Sequence, residues 1–77
     1  MTPAEITQKY KNQQGLTLQK FADAFSPEGE HLTPQTVKAW LDDNSTPNHY
    51  LLHWAICHFP QGTWQYNWAS EVLIAIR

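Results

Sequence analysis

His49, His53 and Cys57 stand at four-residue intervals, and their side chains are of the types that ligate zinc. On a helix that spacing puts all three on one face, beside Tyr50 and Trp54. A closed zinc site takes four ligands and a catalytic one three, and no glutamate is placed as a general base, so the expectation is that no metal binds. His31 and His58 read as turn or surface residues. The chain has no Ser-His-Asp order, no paired-carboxylate cleft and no glycine-rich phosphate loop. A small helical unit also offers little concavity for a substrate. The expectation is a protein without catalytic activity, cofactor or small-molecule substrate. The remaining polar set with a common direction is Gln35 and Lys38, outward-facing on a helix whose Val37, Trp40 and Leu41 turn inward.

The elements that hold these residues are announced by Thr-Pro pairs at 2, 33 and 46. A threonine hydroxyl caps a free backbone N–H, and a proline at the first helical position needs no donor. At the first pair, Thr2 and Glu5 have capping-box spacing, Ile6 and Tyr10 share a face, and Gly15 ends the segment. Thr17 caps a second helix with Leu18, Phe21, Ala22 and Phe25 as one buried stripe, broken by Ser26-Pro27. The third runs from Thr33 to the turn residues Asp42 to Ser45. The fourth opens at Thr46-Pro47, with Tyr50, Leu51, Trp54, Ala55 and Phe59 as its inner face, and closes at Pro60 and Gly62. A fifth starts at Trp64 or Trp68 and carries apolar positions 68, 72, 73 and 76; the run Val72–Ile76 also fits a strand, but helix is favoured. The fold class expected is all-α, with about five short helices in one domain spanning residues 1–77.

With 77 residues there is room for one core, and a composition 42% hydrophobic and 16% charged is that of a folding chain rather than a solvated one. No apolar run approaches the roughly 20 residues of a membrane span, and the first twenty residues hold no signal core, so a cytoplasmic protein is expected. Cys57 is the only cysteine, which excludes an internal disulfide. The net charge of −2 is unevenly spread, +2 over residues 1–20 and −4 over residues 21–43. An acidic total predicts weak, salt-sensitive contact with any polyanion.

Two short helices and a Thr-capped third, with apolar residues at Leu16, Phe21, Ala22, Phe25, Leu32, Val37 and Trp40, resemble the lambda-repressor-like family of helix-turn-helix regulators. Leu16-Thr17 and Phe21-Ala22 look like that family's Leu-Ser/Thr and apolar-Ala pairs. Leu32-Thr33 looks like the start of its recognition helix, and Pro47 like the proline opening its next helix. The resemblance covers roughly residues 3 to 59, with the motif itself at about 17–42. Three departures stand out. The turn from Ser26 to His31 is five residues longer than the family's; Leu18 stands where a phosphate-holding Gln is frequent, with Gln19 next to it; and Asp42-Asp43-Asn44-Ser45 replaces a basic loop.

The resemblance implies a site-specific double-stranded DNA-binding protein, a transcription regulator whose third helix enters the major groove. The base-contacting residues it implies are Pro34, Gln35, Thr36 and Lys38. Gln can pair with an adenine edge, Lys can donate to guanine N7 and O6, and the Thr methyl or Pro ring can touch a thymine methyl. Phosphate contacts are implied for Thr17, Gln19, Lys20, Thr33, Asn44 and Ser45, through side chains and the N–H groups of helix starts. The rival reading is a protein-interaction or structural module on the same scaffold that does not bind DNA. Six aromatic residues between Tyr50 and Trp68 either fill the core or form the interface of a homodimer.

Overall fold

A computed structural model describes residues 1–25 and 32–76, and within them the chain forms five α-helices and no strand. These are α1 (Pro3–Gln14), α2 (Leu18–Asp23), α3 (Pro34–Leu41), α4 (His49–His58) and α5 (Trp64–Ala75). The expected break at Ser26-Pro27 and the long turn through His31 lie outside the described residues. No helix among the described residues is long and apolar enough to cross a membrane.

Local chemistry sets the starts of the first three helices where the threonines stand. Thr2 and Glu5 form the complete reciprocal capping box, and Gly15 closes α1 at φ 64°, a left-handed conformation that glycine adopts without a Cβ penalty. The Thr17 and Thr33 hydroxyls accept from the amides of Lys20 and Thr36, three residues on. The fourth start differs from expectation. Thr46-Pro47 does not open α4; Pro47 is buried in an extended loop, and Asn48 caps the helix by accepting from the Tyr50 amide at 2.7 Å. In α4, Leu51, Leu52 and Ala55 are buried, with Trp54 and Phe59 half-buried. Tyr50, expected inside, is 81% exposed in the helix's first turn. Residues 72–75 are helical, as favoured, in a helix capped by Thr63.

The core is aromatic. Trp68 of α5 is fully buried, with the rings of Phe21, Phe25 and Trp40 centred 5.5, 5.0 and 5.6 Å from its own. Tilted and edge-on contacts of this kind are the arrangement that ring quadrupoles favour. Through them α2, α3 and α5 share one centre, while α1 packs on α3 and α5, and α4 on α5. Of the six aromatic residues between Tyr50 and Trp68, all but Tyr50 are at least half-buried.

Two side-chain constellations pin α1 to α5. The buried Trp68 Nε1 donates to Thr7 Oγ1 at 3.0 Å, and Thr7 in turn donates to the Pro3 carbonyl at 2.8 Å. At the seam's edge Glu71 accepts from both Lys9, at 2.8 Å, and the Tyr10 hydroxyl. Burial opposes the charge on Glu71, but those two donors outweigh it and hold the carboxyl below its ordinary range. The Tyr10 hydroxyl is pushed up to about 12 by burial and by the carboxylate beside it.

Candidate nucleic-acid interface

Helix α3 has a locked side and a free side. Val37 and Trp40 are buried, and this fixes the rotation of the helix about its own axis. Gln35 and Lys38 are exposed, about 60° apart around that axis, with half-buried Pro34 about 40° beyond Lys38 on the same side. These three residues therefore form one strip. Thr36 does not join them. It lies about 200° around the helix from Lys38, half-buried. There it lines a hollow of about 230 Å³ floored by Leu32, Trp40 and Leu51. Its hydroxyl is hydrogen-bonded to that of Thr33 at 3.1 Å. Of the four expected base-contacting residues, the fold brings three together and turns the fourth toward α4.

The polar ends of the strip are already engaged, though only with near neighbours in sequence. Lys38 Nζ is 2.7 Å from Asp42 Oδ2, with side-chain exposures of 63% and 46%. An exposed i,i+4 pair of this kind contributes about 0–1 kcal/mol, so exchanging Asp42 for another acceptor costs little. Gln19 Nε2 donates to Asp23 at 2.8 Å. Lys20 is exposed and forms no ion pair with any described residue. Both partner acids could have been found in the sequence, since Gln19 to Asp23 and Lys38 to Asp42 each span one helical turn.

The expected phosphate contacts divide by group. The Thr17 and Thr33 hydroxyls cap their own helices, at 3.1 and 3.2 Å. The N–H groups of Asn44 and Ser45 both donate to the Ala39 carbonyl, at 2.9 and 3.3 Å, and so complete the end of α3. What those two residues can offer a partner is their exposed side chains. Asp43, between the pairs, takes φ 61°, the left-handed turn that lets the chain leave α3. Lys20 and Lys38 are the cations of the described stretch 17–45, against Asp23, Asp42 and Asp43. The surface is mixed in sign, not a basic stripe.

Comparison with protein-family models, with curated proteins and with solved structures returns no match.

Proposed function

We propose that this chain is a site-specific double-stranded DNA-binding protein, of the helix-turn-helix type that the sequence resembles, reading the major groove with the strip Pro34, Gln35 and Lys38 of α3. The observation that carries the reading is the division of α3 into a side fixed by Val37 and Trp40 and a polar side tied to nothing beyond its own turn. A recognition helix needs both: a rotation set by the core, so that donors meet base edges in register, and donors that can leave their resting partners. A bidentate side-chain contact to a base is worth about 1–3 kcal/mol, more than the exposed Lys38–Asp42 pair that it would displace. Lys20 supplies a phosphate contact, with Gln19, Asn44 and Ser45 as neutral donors. Binding weakens as salt rises, with a slope of about 0.9 for each phosphate neutralised.

The acid excess among the described charges of this face favours the second reading, a protein-interaction module on the same scaffold. Selection of duplex DNA from a randomised library at low salt separates the two, with a Gln35→Ala/Lys38→Ala variant carried in parallel and its helicity checked by circular dichroism. Under the DNA reading a consensus emerges with the unaltered protein and is lost with the folded variant. If nothing enriches, the DNA reading falls and the module reading stands.

A further inference from the structure

On α4, His49 and His53 are both exposed, and their rings lie nearly parallel, tilted by 18° with centroids 6.1 Å apart. Residues four apart on a helix are separated by one turn and by about 40° of rotation, so both imidazole tips project from the same strip of surface. A ligating imidazole has its centroid roughly 3.2 Å from the ion, the about 2.0–2.1 Å bond plus the ring's own radius. Two rings on one ion therefore stand at most about 6.4 Å apart, and about 5.2 Å apart at a tetrahedral angle. The observed 6.1 Å lies below that upper limit; the rings are stacked, so their nitrogens point side by side, and chelation turns both exposed side chains about their χ angles until the two nitrogens meet one ion.

We propose that His49 and His53 form a two-nitrogen chelate for a divalent transition ion such as Ni²⁺ or Zn²⁺, with water completing the coordination sphere. Imidazole suits these ions, and neutral rings at i and i+4 are the ligand pair that one helical face can offer without help from another element. No Lys or Arg lies anywhere in α4, so no fixed cation on the helix opposes the ion. The neighbouring candidates are otherwise placed. His58 Nδ1 is 3.0 Å from the Trp54 carbonyl and its ring stacks on Trp54 at 4.7 Å. Among the described residues no three His, Cys, Asp or Glu side chains converge, so the free Cys57 is not a third ligand. The site is open, and occupancy ties the first turn of α4 to the second, adding to the stability of the folded state by mass action.

The test is calorimetric titration of the full chain with Ni²⁺, with Mg²⁺ as the control ion, comparing Cys57→Ser, His58→Ala, His49→Ala and His53→Ala. The expected result is one Ni²⁺ per chain, no uptake of Mg²⁺, unchanged affinity in Cys57→Ser and His58→Ala, and a loss of at least about tenfold in each of the other two. Loss of a group merely supporting a ligand already costs about that much. All four side chains are exposed, and a circular dichroism melt confirms that each variant folds. Unchanged binding in His49→Ala or His53→Ala overturns the proposal, as does loss of binding in Cys57→Ser. One ion per two chains also overturns it, since the ion would then bridge copies.

Discussion

Along the seam between α1 and α5, Lys9, Tyr10 and Thr7 hydrogen-bond to side chains 61 or 62 positions away, whereas on α3 Lys38 reaches no farther than Asp42, four positions on. Among the described residues every side-chain hydrogen bond spanning more than five positions joins α1 to α5. Both regions hold a Lys–carboxylate pair, but a polar contact between distant segments exists only when the whole domain is folded. A contact within one turn survives or is lost with little consequence for anything else. The outward side of α3 can change partners because it holds up nothing, and the seam cannot.

Substitutions can break that contrast or sharpen it. The largest effect is expected from Trp68→Ala, which empties the site where Phe21, Phe25 and Trp40 meet. Such truncations cost about 3–5 kcal/mol, and in a domain whose total stability is of order 5–15 kcal/mol the melting transition should drop steeply or vanish. A mild effect would mean that the aromatic centre is not what joins the helices. Next is Thr7→Val, which keeps the shape but leaves the buried Trp68 N–H without its acceptor, at about 1–3 kcal/mol by urea denaturation.

A smaller effect follows from acid. The Glu71 carboxyl is held below its ordinary value of 4.5 in the folded protein, so its contribution is full above that value and is lost as pH falls through the folded value. Stability measured from pH 6 down to pH 2 should decline over that window, and Glu71→Gln should flatten the decline. Tyr10, raised to about 12, has the opposite sign: the neutral hydroxyl favours the fold below 10.0, and that advantage disappears as pH rises through about 12. The smallest effect on stability belongs to Lys38→Ala, within about 0.5 kcal/mol as for exposed positions generally. Under the proposed function the same change weakens specific DNA binding by about 1–3 kcal/mol, and Asp42→Asn, which frees Lys38 and removes an acid from the face, strengthens it. A Lys38 variant that melts like the seam variants would abolish the distinction between the two regions.

The helix starts at Thr2, Thr17 and Thr33 were legible because a cap is complete within three residues of chain. The stripes Ile6/Tyr10, Leu18/Phe21/Ala22/Phe25 and Val37/Trp40/Leu41 were legible for a similar reason: helical periodicity records which side faces inward, and all of these residues are buried except Leu18 and Leu41, which are half-buried. The outward positions of Gln35 and Lys38 followed from the same periodicity. Thr36, which the resemblance implies as a base contact beside them, stands half-buried about 200° around the helix from Lys38. Thr7 carried a readable signal, a polar residue within the Ile6/Tyr10 stripe, but its partner Trp68 lies on another helix.

Thr46-Pro47 marks the boundary between the two kinds of information. The pair is the same as those that open α1 and α3, but here a second capping residue, Asn48, follows directly; Pro47 is buried in a loop and Asn48 takes over the cap. By itself the sequence determined what is local: that the chain is helical, where three helices begin and which of their faces is apolar. Only the tertiary structure decided where α4 starts, that Tyr50 faces solvent, that Trp68 is the centre of the core and that Thr7, Lys9 and Tyr10 meet α5. Capping and amphipathicity act over one or two turns, whereas the burial of a proline or the pairing of groups some 60 residues apart depends on how every other element packs.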